Sequence, residues 1–129
     1  MGAGRQREFN EEQALDAAMV VFWSNGYNGT SLSDLTHAMG INKPSLYAAY
    51  GNKEALFIRA LKHYVDKHGI PHMDLLSDPS RNLQSRLRDY LRSVARMMCD
   101  PCTPGGCFVA ATTQEAGGDF RSMVNQVVR

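Results

Sequence analysis

Three cysteines, Cys99, Cys102 and Cys107, form a C-x2-C-x4-C run, and His63, His68 and His72 stand five and four residues apart. Short C-x2-C spacing serves either zinc or a thiol pair. A closed zinc site takes four ligands, and no clear fourth accompanies these thiols, so no metal is expected. Cys107 follows Gly105-Gly106 at a predicted helix start, where the dipole lowers a thiol pKa. That suits a redox or electrophile sensor with Cys102 as its resolving partner, against the plainer reading of a small buried apolar residue. The histidines straddle a helix end and a proline loop and read as a polar surface at a junction. A second set is Thr30, Ser31, Asn42, Lys43, Ser45, Tyr47, Tyr50 and Lys53. Hydroxyls, an amide and two ammonium groups this close in sequence suit phosphate oxygens and base edges. No nucleophile elbow, phosphate-cradling glycine loop or H-E-x-x-H stands anywhere in the chain, so neither an enzyme nor a cofactor is expected.

The second set falls on a recognisable scaffold. Thr30 or Ser31 can cap a short helix, with Asp34 completing a capping box three residues after Ser31. Leu32, Leu35 and Met39 form one apolar stripe, and Gly40 supplies the left-handed turn that ends the helix. Asn42 caps the next helix, and Pro44 falls in its first turn, where no amide hydrogen is needed. Leu46 anchors that helix inward and leaves Lys43, Ser45, Tyr47 and Ala48 near its exposed start. Helix, glycine turn and helix in this register is a helix-turn-helix, whose second helix enters a major groove. Lys43 can donate to guanine, while Ser45, Tyr47 and Tyr50 can donate to phosphates, although one tyrosine, Tyr50 by preference, can pack inside instead. Lys53 at the next helix start makes an anion site. Thr30 and Ser31 either repeat that role or merely cap.

Phe22, Gly26, Tyr27, Thr30, Ser31, Gly40, Ile41, Ser45, Leu46, Tyr47, Tyr50, Lys53 and Leu56 carry a resemblance over roughly residues 9 to 65. The pattern resembles the DNA-binding domain of the tetracycline-repressor (TetR) family. Thr36 and Tyr50 depart from it conservatively, where alanine and phenylalanine are commoner. The resemblance implies an all-α fold, with a three-helix DNA-binding lobe followed by a helical ligand and dimerisation lobe. It also implies a homodimeric repressor that leaves its double-stranded operator when a small-molecule inducer binds, and it favours Tyr47 most among the phosphate contacts.

The chain has 129 residues and a net charge of +1, from 14 basic and 13 acidic side chains. Residues 1–68 carry seven of each sign, so placement rather than bulk charge supports a nucleic-acid reader. Few phosphate contacts per copy imply two copies acting on a two-fold site. No apolar run approaches the roughly 18 residues of a membrane helix. The polar start MGAGRQREFN is no secretory signal, which points to the cytoplasm.

Residues 1–9 read as a flexible arm whose Arg5 and Arg7 can enter a minor groove. Asn10 is expected to cap the first helix, which buries Leu15, Ala18, Met19 and Phe22. A long helix starts after Asn52, with Phe57, Ala60, Leu61 and Tyr64 on one face, and Gly69 and Pro71 stop it. The DNA-binding domain thus spans 10–68, a linker 69–80 and a partial regulatory domain 81–129. In the last, a helix over about 81–99 turns Leu83, Leu87, Tyr90, Leu91, Val94 and Met98 inward. Tyr90, Val94, Met97, Met98, Phe108 and Thr112 can line a ligand pocket or form ordinary core. Phe120, Met123, Val124, Val127 and Val128 begin a further amphipathic helix, a candidate contact surface. The rival readings are a small metal- or thiol-dependent protein built on the Cys/His residues and a helix-turn-helix that binds only proteins.

Overall fold

The computed structural model describes residues 2–114 with 122 and 125, and side chains at 11–112, 122 and 125. The described residues are helical, with no strand among them: α1 (Gly2–Asn25), α2 (Leu32–Met39), α3 (Lys43–Tyr50), α4 (Lys53–Tyr64), a π-helical turn (Val65–Gly69), α5 (Ile70–Asp74), α6 (Leu83–Met98) and α7 (Phe108–Gln114). The helices α2, α3 and α4 each have a side-chain start. Ser31 accepts from the Asp34 amide and the Asp34 carboxylate accepts from the Ser31 amide, both at 3.0 Å. Asn42 and Asn52 accept from the amides of Ser45 and Ala55 at 2.9 and 2.7 Å. Such caps satisfy amides that no helical carbonyl can reach.

Gly40 (φ 69°) closes α2 in the left-handed region. Gly51, between α3 and α4, is more extreme at φ 94°, ψ −76°, close to the strained γ-turn geometry. We expect Gly51→Ala to lower stability by about 1–3 kcal/mol, read from thermal unfolding, because a Cβ there is strained whatever the free space.

The core follows helical spacing. Ala14, Ala18 and Phe22 of α1 meet Leu56, Phe57, Ala60, Leu61 and Tyr64 of α4, with Leu35 and Met39 of α2 and Leu46 and Tyr50 of α3 packed in the same cluster. Phe108 from α7 joins this cluster, and the indole of buried Trp23 donates to the Gly105 carbonyl at 3.0 Å. The two lobes therefore share one core.

Several expectations are corrected. The helical backbone begins at Gly2, so residues 2–9 are no irregular arm and Asn10 is no cap. Arg5, Gln6, Arg7 and Glu8 are good helix formers, and nothing among them breaks the run. Gly69 and Pro71 do not stop the α4 rod either. The wide π turn takes up the residue that proline cannot hydrogen-bond, and α5 continues to Asp74. On α6, Leu83, Leu87 and Leu91 face outward rather than inward, whereas Met98, 42% exposed, stands at the cavity wall. Tyr90 and Val94 do turn inward as expected, and beside them stand half-buried Arg86, Ser93 and Met97, the first two bonded to the preceding segments. Arg86 donates to the Leu76 carbonyl at 2.8 Å, and Ser93 meets His72. The expected helix from Phe120 to Val128 lies outside the described residues, apart from Ser122 and Asn125.

Candidate nucleic-acid interface and adjoining cavity

The α3 helix places its residues by its own period. Leu46 and Tyr50, four apart, are buried, so Lys43, Ser45 and Tyr47 are turned to solvent, with Tyr47 46% exposed. Asn42 is exposed and spends its side-chain carbonyl on the cap, which leaves its amide nitrogen outward. Ser31 is exposed at the start of α2. The result is one surface of two helix starts carrying hydroxyls, amides and an ammonium group. It can take an anionic backbone along its edge and place Lys43 and Tyr47 deeper.

Three of the expected contact residues sit differently. Thr30 is buried and its hydroxyl donates to the Gly26 carbonyl at 2.6 Å, so it braces the turn before α2 instead of facing a phosphate. Tyr50 is buried with the Arg59 guanidinium 4.7 Å from its ring centre, because it shares the inward stripe of Leu46. The Lys53 ammonium lies 4.3 Å from the Tyr27 ring centre, where a cation gains from the negative ring face. It therefore ties α4 to the turn after α1 as well as standing at a helix start. The side chains of Arg5 and Arg7 lie outside the described ones.

At the far end of the α4 rod, a cavity of about 540 Å³ opens between the π turn, α5, α6 and the start of α7. Tyr90, Val94, Met97 and Met98 line it, whereas Phe108 and Thr112 are buried in packing and are absent from its wall. Thr112 donates to the Phe108 carbonyl at 2.8 Å. The sequence reading missed Tyr64, His68 and His72, which also line the cavity. Tyr64 ends α4, and the π turn carries His68 and leads on to His72, a turn that no sequence period signals. Cys107 is half-buried in the wall, and the Tyr64 hydroxyl lies 3.6 Å from its sulfur. Burial, reinforced by Cys107, holds the Tyr64 phenol well above its ordinary range, so it stays a neutral donor. Cys99 and Cys102 are exposed outside the cavity wall.

Outside the cavity wall run two polar ties. Asp16 on α1 pairs with His63 and with Lys67, at 2.5 and 3.0 Å. Burial pushes its carboxyl up, but these partners together outweigh that and leave it below the ordinary value. Farther out, Asp89 pairs with Arg81 rather than with an arginine of its own helix. His68 packs against Trp23 and Tyr64, at 5.8 and 5.3 Å between ring centres. Burial, then the charges of Lys67 and His72, hold its imidazole below the ordinary 6.5. The unfolded chain therefore takes up the proton first. The stabilisation from neutral His68 is complete above about pH 6.5 and is lost as pH falls through the folded-state value. Urea unfolding at about pH 7.5 and 5.5 should show this fall, and His68→Asn should make it shallower.

Residues 14–60 match the family model described as bacterial regulatory proteins, tetR family. The HTH-type transcriptional repressor ComR of Escherichia coli is 41% identical over 122 residues, covering 95% of this chain and 58% of that protein. The HTH-type transcriptional repressor BdcR of Escherichia coli is 42% identical over 106 residues, covering 82% of this chain and 53% of its own. Among solved structures, a cysteine mutant of the TetR family transcriptional regulator CifR, complexed with 26-bp double-strand operator DNA, superposes with a TM-score of 0.79 at 36% identity. That match covers 91% of this chain and 61% of CifR. The chain thus spans somewhat over half the length of the relatives it matches.

Proposed function

Because the chain belongs to the tetR family of bacterial regulatory proteins, we propose that it is a DNA-binding transcriptional regulator, a repressor whose two copies hold a two-fold operator until an effector enters the cavity. The observation that carries this reading is the outward set on α3, Lys43, Ser45 and Tyr47, held by the buried pair Leu46 and Tyr50. The names of ComR and BdcR as repressors, and the operator complex of CifR, support it. Two recognition helices reading adjacent major grooves stand about 34 Å apart, one helical turn of DNA. An effector that binds better to a differently spaced pair shifts the population away from the DNA-bound form.

The rod formed by α4, the π turn and α5 is the element that can transmit such a shift. Its first residue, Lys53, adjoins α3, and its last turns line the cavity. Cys107 is the thiol that an effector in the cavity meets, which keeps a sensor role for it within this reading, with exposed Cys102 five residues before it in the chain. No helix among the described residues is long and apolar enough to cross a membrane.

Fluorescence anisotropy with a labelled random duplex, at two salt concentrations, tests the proposal. Binding should weaken with salt along a clear log–log slope, as counterions return to the phosphates. Lys53→Ala should flatten that slope by about one unit if the ammonium leaves Tyr27 for a phosphate. Absence of duplex binding at the lower salt would refute the DNA reading and favour a helix-turn-helix that meets proteins.

A further inference from the structure

The apex of the α3 surface carries no polar group. The buried pair Leu46 and Tyr50 fixes the inward direction of this helix. With about 100° of rotation per residue, Ala48 then stands diametrically opposite, and Pro44 roughly 40° to one side of it. Both are exposed. Lys43 and Tyr47 lie along one flank of this apex, Ser45 and Ala49 along the other. We infer that Pro44 and Ala48 determine sequence specificity by reading the 5-methyl group of thymine, so that each half-site carries a T·A pair beneath the apex of α3. The inference rests on the DNA-binding reading above and deepens it.

Three physical arguments select thymine. Its methyl is the apolar group that the four bases display in the major groove, and alanine is among the side chains that meet it. Against the other bases the same apex is costly. Guanine offers two acceptors there, adenine an acceptor and an amino group, and cytosine an amino group. A methyl or a pyrrolidine ring pressed on these excludes water and returns no hydrogen bond. The third argument is rigidity and reach. Proline and alanine lose no rotamer freedom on contact, and the Asn42 cap fixes the helix start that carries them. A helix with its side chains is about 10–12 Å across and the major groove about 12 Å wide, so short side chains at the apex bring α3 close to the groove floor. Lys43 and Tyr47 are long enough to pass down the flank to base edges and phosphates.

The test uses the full chain to select duplexes from a random pool. Each thymine of the enriched sequence is then replaced by deoxyuridine, which removes the methyl and keeps every hydrogen-bonding atom. At one or two positions per half-site, the replacement should weaken binding about fourfold in fluorescence anisotropy, the effect of losing contact with one methyl-sized group. In Pro44→Ala and Ala48→Gly the same replacement should lose its effect at the thymine that each residue covers, with circular dichroism reporting an intact fold. The change on the DNA leaves the protein untouched, so it decides the matter even where Ala48→Gly fails to fold. Absence of duplex binding by the parent would overturn the DNA-binding reading and the inference with it. Binding without an enriched sequence, or an enriched duplex that tolerates deoxyuridine at every thymine, would overturn the inference alone. So would a deoxyuridine penalty that persists undiminished in both variants, which would assign the methyl to another residue.

Discussion

Phe57→Ala should lower the unfolding free energy by about 3–5 kcal/mol, a large share of the roughly 5–15 kcal/mol that holds a domain of this size. The side chain is fully buried. Its ring meets those of Phe22 and Tyr27 edge-on, both at 5.0 Å between centres, and that of Phe108 at 5.7 Å. Phe22 is on α1, Tyr27 lies in the turn before α2, and Phe108 opens α7. Truncation removes apolar area and also leaves a hole that three separate segments would have to collapse to fill. The edge-to-face geometry adds roughly 0.5–1.5 kcal/mol for each aromatic pair beyond area burial. Urea titration followed by tryptophan fluorescence is a direct readout, since Trp23 adjoins the same cluster through Phe108. Leu91→Ala is the control. Leu91 is 61% exposed on α6, so its loss should change stability by no more than about 0.5 kcal/mol. Equal losses for the two variants would show that the aromatic cluster is not the centre of the fold.

The second large effect concerns the α3 surface and follows from the proposed function. The double variant Lys43→Ala, Tyr47→Ala should weaken duplex binding by about 2–4 kcal/mol per copy, summing roughly 1–3 for a base-reading lysine and about 1 for a hydroxyl on a phosphate. With two copies on one site the loss counts twice, about 4–8 kcal/mol, so anisotropy with a duplex that the parent binds should show binding fall by about a thousandfold or more. Thermal stability should stay within about 0.5 kcal/mol of the parent, because both side chains are exposed and the Asn42 cap and buried Leu46 are untouched. Single variants separate the roles. Lys43→Ala should narrow the preference between duplex sequences, whereas Tyr47→Ala should weaken all duplexes alike. Undiminished binding by the double variant would remove α3 from the interface.

Much of this surface was legible in residue order, for a local reason. Caps, glycine turns and helical stripes act within a few residues, so Ser31 with Asp34, Gly40, Asn42, Pro44 and Leu46 announce two short helices and their junction. Burial of Tyr50 was available as an alternative from its spacing to Leu46. Thr30 was ambiguous because a hydroxyl before a helix serves a phosphate, an amide or a carbonyl equally well, and only the approach of Gly26 decides among them. Lys53 is a similar case, since its place over Tyr27 depends on how α1 and α4 pack.

The sequence by itself determined the helix-turn-helix and the face of α3 that meets solvent, because hydrogen-bond capping and the 3.6-residue period are short-range effects. Tertiary structure alone decided the cavity. Proline and glycine at 69–71 signal a break, yet packing turned that break into a π turn that keeps the rod going and swings His72 toward Met97. Likewise, the apolar stripe of α6 pointed to burial, but the hydrogen-bonding needs of Leu76 and His72 turned Arg86 and Ser93 inward and left Leu83, Leu87 and Leu91 outside. Which partners are within reach is a property of the folded chain rather than of residue order: Arg86 reaches the Leu76 carbonyl, although its own Nε is buried without a partner.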